Sequence, residues 1–593
     1  MRAATVCLTL LVARGACGQE TMLLWGDTHL HTSSSADSYS LGNYFADPDT
    51  AYRFAKGVPV LHPRLQTRVQ IGRPLDFLVV ADHAERLRWQ VSTRDGLDML
   101  QQVPGYREAQ AFISDNPSST FFIPPGALSS EYESAIVSPE YRRAAWSAQV
   151  DAAERHNEPG RFTTLAGWEW SSYSMANLHR VVFTPSPAEV VKQFIPYSNA
   201  ESIRPEDLWR WLEETSAATG AEFVAIPHNS NLSKGLMFAE TDSDGRPIDA
   251  AYARQRIRWE PVMEVTQVKG TSEAHPAFSP TDEFAAFELY TKLLGGGIAV
   301  PSKADYARPA LLNGLSIEER VGTNPFKFGL IGASDSHTGL VTVEEDDFYG
   351  KAVYDTLPEE RLNPPGRSFP AWEMSSGGLA GVWAADNTRD DIAAAFRRRE
   401  VYATSGPRIM LRVFGGFDFA ETDADAADLA AVGYAGGVPM GGDLAEPPER
   451  RALSLLILAA KDPANANLDR AQVVKGWIDA DGEQHEQVYD VAWSGDRIPD
   501  ANGRVAGIGT TVDAARASYD DSIGDAQFRT VWIDPEFDAE QRSFYYVRVL
   551  QIPTPRHSTY DAAALGVDVS DTNQPVSLQE RAWSSPIWYT PRR

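Results

Sequence analysis

The sequence predicts an α/β protein, a parallel (β/α) barrel followed by a β-sandwich-like domain. Two observations carry the barrel. From about residue 22 to residue 340 an apolar strand, a ligand-type residue and a helix recur about seven times, and histidines gather at the strand ends. In parallel barrels the loops at the C-terminal strand ends converge on one face, and the chemistry sits there. A third observation carries the second domain. Past Arg408 the pattern changes to short strands separated by Gly-, Pro- and Asp-rich loops.

At 593 residues the chain exceeds what one core usually supports, so two domains are expected. Apolar and charged contents of 43% and 23% are those of a globular protein. A formal net charge of −27 argues against nucleic acid as a partner, because such binding draws on a positive surface. In residues 1–20, Arg2 precedes a short apolar run that ends in small residues. This is the pattern of a signal peptide, although Arg14 interrupts it. An exported protein, periplasmic or extracellular, is therefore expected. Both cysteines, Cys7 and Cys17, lie in that leader, so no disulfide framework is expected. No later stretch approaches the roughly 20 apolar residues that a membrane helix needs.

The first barrel strand leads into Gly26-Asp27-Thr28-His29-Leu30-His31, followed by Thr32-Ser33-Ser34-Ser35-Ala36-Asp37. Side chains alternate along a strand, so His29 and His31 face the same side and can share one metal ion. A turn through the serines brings Asp37 back as an oxygen ligand. Residues 44–56 read as helix, and residues 74–81 as a buried strand ending in Asp82-His83-Ala84-Glu85. Residues 95–133 read as a loop-rich insertion able to roof a site, and residues 141–156 as an amphipathic helix.

The strand at 162–170 carries Glu169, and Asn177-Leu178-His179-Arg180 opens the next run. A helix near 202–219 stops at Gly220. The strand at 221–226 delivers His228. Glu264 is embedded in the strand at 261–265, residues 282–294 read as helix, and the strand at 328–333 delivers Ser334-Asp335-Ser336-His337. Six of the 11 histidines thus stand in strand-end segments, namely His29, His31, His83, His179, His228 and His337. Thr388 suits the N-cap of a helix that closes this half. The domains are placed at 21–410 and 411–593, with residues 415–443 as an excursion in the second.

In this order the motifs GDTHLHTSSSAD, ADHAE, GWEW, NLHR, PHNSNLS and ASDSHTG resemble the PHP (polymerase and histidinol phosphatase) superfamily. They resemble most closely an exported branch catalogued as a domain of unknown function. The resemblance implies a distorted seven-stranded barrel with up to three divalent metals. It implies His29, His31, Asp37, His83, Glu169, His179, His228, Asp335 and His337 as ligands. His29 and His31 would share one metal with Glu169 and Asp335. Glu169 would bridge to a second with His179 and His228, and Asp37, His83 and His337 would hold a third.

Imidazoles and carboxylates without thiolates suit Zn, Mn or Fe. Such ions generate hydroxide from bound water at neutral pH, so phosphoester hydrolysis leads, with a small anionic ester as substrate. A sulfate ester, or a non-catalytic metal-containing binding protein, is the alternative. Asp82, Arg180, Lys269 and Arg408 are the candidate catalytic residues: Asp82 as support for a metal-bound histidine, Arg180 as a cation for an anionic oxygen, Lys269 as a strand-end substrate contact, and Arg408 as a residue that either reaches the site or closes the barrel domain. Asn229, Asn231, Lys234 and Glu273 are further loop candidates for substrate contact.

Overall fold

The computed structural model describes residues 21–173, 176–293, 296–362, 371–445 and 451–591. The expected leader and its two cysteines lie outside these residues. No helix among the described residues is long and apolar enough to cross a membrane.

The site is built on seven strands: β1 (Met22–Leu30), β2 (Phe77–Val80), β3 (Thr163–Tyr173), β4 (Asn177–Thr184), β5 (Val224–His228), β6 (Val262–Gln267) and β7 (Gly329–Gly332). β1, β2 and β3 run parallel, each buried on both faces by apolar residues such as Phe77, Val79 and Leu165. β4 then returns antiparallel along β3, and β5 antiparallel along β4. On its other edge β1 pairs antiparallel with β8 (Leu379–Ala384), which is followed by β9 (Val401–Thr404).

The expected closed seven-stranded barrel is not present. Among the described residues no hydrogen-bonded ladder joins β5 to β6, and the parallel pair β6–β7 belongs to a separate small sheet. The cause is the β3–β4 hairpin, which reverses the chain direction where a parallel crossover was expected. The architecture is a large mixed sheet with β6 and β7 laid against its open side. Gly332 permits that approach, since a Cβ there would lie 2.7 Å from the Thr404 carbonyl oxygen and 2.8 Å from that of Leu379.

β7 is stitched to β1 beyond the strands themselves. Asp27 accepts from the backbone N–H groups of His29 (2.9 Å) and Ser334 (3.1 Å) and from the Ser334 hydroxyl (2.5 Å). The Asp335 N–H donates to the His29 carbonyl, and the His31 N–H to that of Ser336. Two strand ends far apart in sequence are thus held side by side.

The large sheet continues into the C-terminal half. β9 pairs with β13 (Arg581–Ser584), which pairs with β12 (Ser543–Gln551), and β12 in turn with β11 (Leu468–Ile478). A second sheet, including β10 (Ser454–Ala460), packs on it through Leu455, Ile457, Val473, Val547 and Tyr589. At the expected boundary near 410, Met410 opens a strand, Met410–Gly416, of that second sheet, and the large sheet takes strands from both sides of it.

Two expected segments differ. Residues 95–133 contain short helices, including Tyr106–Asp115, and pack through Leu100, Ala109, Ile113 and Leu128. The Ser129 hydroxyl caps a further helix, Ser130–Ile136, by accepting from Tyr132 N–H. Residues 282–293 are not helical. Asp282 is instead drawn into ion pairs with Arg308 and Arg548.

Candidate metal centre

All nine residues expected as metal ligands converge where β1, β2, β3, β5 and β7 end and β4 begins. Their donor atoms fall into close groups. The Nε2 atoms of His29 and His31 are 3.2 Å apart. From Glu169 Oε2 they lie 3.5 and 3.1 Å, and from Asp335 Oδ1 3.5 Å each. Zinc with N and O ligands at 2.0–2.2 Å requires donors about 3.3–3.6 Å apart in a tetrahedron. The donor set fits a cation of that size.

Glu169 reaches a second group through its other oxygen. Oε1 is 2.7 Å from His179 Nδ1 and 3.0 Å from His228 Nε2. A third group centres on Asp37, whose Oδ2 lies 3.1 Å from His83 Nε2 and 2.7 Å from His337 Nε2.

The outward nitrogens explain why the rings stay in place. His29 Nδ1–H donates to Glu264 Oε2 at 2.9 Å, and His31 Nδ1–H to the Ser35 hydroxyl at 3.1 Å. That hydroxyl donates onward to Asp37. His83 Nδ1–H donates to the Ser171 hydroxyl at 2.7 Å, and His228 Nδ1–H reaches the Ile226 carbonyl at 3.4 Å. With Nδ1 protonated and held outside, Nε2 offers its lone pair to the cluster. His337 shares the Asp335 carbonyl oxygen with Lys351.

Electrostatics prepare the carboxylates. Burial would raise Glu169, but the charge of His83 beside it holds it well below the usual range. Asp335 is likewise buried and held well down by Lys269 and Lys351. Neither of its carboxylate oxygens has an aligned hydrogen bond, although both ammonium groups are in ion-pair contact with Oδ2. Burial lowers His228 and His337 to about 3, so these rings are neutral donors. For His83 burial acts in the same direction, but Glu169 and Asp37 outweigh it and lift the ring to about 10. A metal ion would displace that proton.

Of the four candidate catalytic residues, Lys269 enters the cluster and Asp82 lies beside it. Asp82 accepts from Thr32 N–H (2.6 Å), the Thr32 hydroxyl (2.7 Å) and Gln149 (3.0 Å), so it shapes the turn after His31 and bonds no histidine ring. Arg180 points away. His179 faces the cluster, so its neighbour on the strand faces the opposite side, where it is buried against Glu260 at 2.8 Å. Arg408 donates to the Arg73 and Pro74 carbonyls and lines a separate cavity of about 350 Å³.

Among the loop candidates, Asn231 is occupied by the Lys269 and Tyr290 carbonyls. Glu273 sits in a buried network with Arg308 and Arg548. Asn229 is buried beside His228 with its backbone at φ 55°, and neither polar atom of its side chain has a partner among the described residues.

Sequence reasoning missed Glu264, Lys351, Ser35 and Ser171 as members of the site. A glutamate inside an apolar strand is a readable signal for Glu264. The others carry none.

No functionally curated protein matches the chain. One similar solved structure is a two-domain protein from Bacteroides vulgatus containing a predicted PHP-like metal-dependent phosphoesterase. It is 11% identical, with 90% of this chain and 91% of that chain covered, at a TM-score of 0.28. So loose a likeness carries no weight in reading the site. The family model described as Protein of unknown function (DUF3604) matches residues 18–591, and the chain belongs to that family.

Proposed function

We propose that this protein is a metal-dependent hydrolase of phosphoesters, mono- or diesters, with a PHP-type site. The observation that carries the reading is the donor spacing of 3.1–3.5 Å around His29, His31, Glu169 and Asp335, with the outer ring nitrogens anchored away from it. Two or three divalent ions, Zn, Mn or Fe, are the cofactors of this reading. Bound there, they would lower the pKa of water to about 7 and offset charge on a phosphoryl group.

The chain's own residues do the rest. Glu169 spans two donor groups with its two oxygens, which sets their separation. Lys269 and Lys351 keep buried Asp335 ionised, and Lys269 adds a positive charge at the cluster. The motif series from GDTHLHTSSSAD to ASDSHTG supports the PHP assignment. Export through residues 1–20 and an accessory role for residues 411–593 belong to the same reading. The signal-like leader and the β-rich pattern, respectively, support them.

The test is an ester panel on protein loaded with each metal in turn, comprising a phosphomonoester, a phosphodiester and a sulfate ester. Phosphoester turnover that a chelator abolishes and metal restores is expected. Turnover of the sulfate ester alone would replace the phosphoester reading. No turnover by metal-loaded protein would leave a binding protein.

A further inference from the structure

Building on the phosphoester reading, we propose that the substrate carries an apolar alkyl or aryl group, seated in a cavity of about 920 Å³ that opens from the metal-ligand cluster. His179 stands in the cavity wall, as do Ala36 and Ala84, the chain neighbours of Asp37 and His83. The cavity therefore borders the cluster at His179. Its volume is that of a site for a drug-sized ligand, far more than a phosphate and a one-carbon alcohol fill.

Part of the lining is apolar. Phe121, Phe122, Ile136 and Val137 supply it, all from the segment 117–137. The two phenylalanine rings meet edge to face at 4.5 Å. Phe122 is 78% exposed and Val137 49%, so both still offer surface that an apolar group would remove from water.

Two cations mark where charge goes. Arg86 and Lys234 line the same cavity, and the side chain of neither has an ion pair or hydrogen bond among the described residues. Arg142, by contrast, is already paired with Glu201. Both free cations follow strand-end histidines, and both have left-handed backbones at φ 56°. Non-glycine residues held there are strained positions of the kind that cluster at ligand sites. The lining thus joins a cluster histidine and two free cations to an apolar patch around Phe122, the combination that suits an ester with an apolar alcohol.

Calorimetric binding of two non-hydrolysable probes to the metal-loaded full chain, methylphosphonate and hexylphosphonate, tests this. Hexylphosphonate should bind at least about tenfold tighter, since five buried methylenes more than suffice for that gain. Phe122→Ser and Val137→Ser, both at exposed positions, should shrink the advantage below about threefold and leave methylphosphonate unchanged. Equal affinities, no binding of either probe, or variants that weaken both probes alike would overturn the proposal. Failure of the hydrolytic reading shows separately, as no turnover of hexyl phosphate by protein that still binds hexylphosphonate.

Discussion

His29 Nδ1 lies 2.9 Å from Oε2 of Glu264, a carboxylate 235 residues further along the chain. The bond fixes which nitrogen of His29 carries the proton and turns Nε2 toward His31, Glu169 and Asp335. Carboxylates in this position typically contribute about 10–100-fold to metal affinity. Glu264→Ala should weaken binding by that factor in a chelator competition, and Glu264→Gln by less, because an amide oxygen still accepts. Unchanged affinity in Glu264→Ala would remove Glu264 from the site.

Glu169 divides its oxygens between two donor groups. Glu169→Ala should therefore lose more metal per chain than His179→Ala, which touches one group only. Elemental analysis of the two purified variants checks this, and equal losses would contradict the shared carboxylate.

Arg180 is a structural residue here. Its partner Glu260 also receives Arg256 (3.1 Å) and Trp209 (2.7 Å), all buried. Breaking a buried pair costs about 3 kcal/mol at the lower end of the usual range. Arg180→Ala should lower the urea midpoint accordingly while metal content stays at the wild-type level. Full stability with lost activity would return Arg180 to the substrate.

The network around Glu273 ties the halves together. Its carboxylate accepts from Arg308 (2.7 Å), Arg548 (3.1 Å), Tyr546 (2.7 Å) and Trp583 (2.8 Å). Burial would raise the group, but Arg548 and Arg308 hold it below the ordinary 4.5. A depressed carboxyl stabilises the fold fully above its unfolded pKa and loses that contribution as pH falls through the folded value. Thermal melts should hold from pH 7 to about 5 and fall steeply below about 4.5, with a shallower fall for Glu273→Gln. An acid limb identical in the variant would contradict this role.

Most of the ligand series was legible because its histidines and carboxylates stand at the ends of apolar runs, where the strand fixes the side chain's direction, although His179 opens a run and Asp37 follows a serine turn. Period-two alternation also separates His179 from Arg180, and applying it to that pair would have turned Arg180 away from the cluster. The β3–β4 hairpin did leave a mark in the sequence: the segment between Trp170 and Val181 is too short for a parallel crossover, which needs about a dozen residues or more. Lys351 reaches Asp335 only through the return of a long loop, and residues 282–293 look helical until Asp282 finds arginines beyond the reach of local pattern.

Metal content per chain, by elemental mass spectrometry on protein purified without chelators or a histidine tag, tests the central claim most directly. Two or three equivalents of Zn, Mn or Fe are predicted, falling in His29→Ala and Asp335→Ala while the C-terminal half stays folded. Less than about half an equivalent, persisting after reconstitution with each metal, would contradict the metal centre and with it the hydrolytic reading.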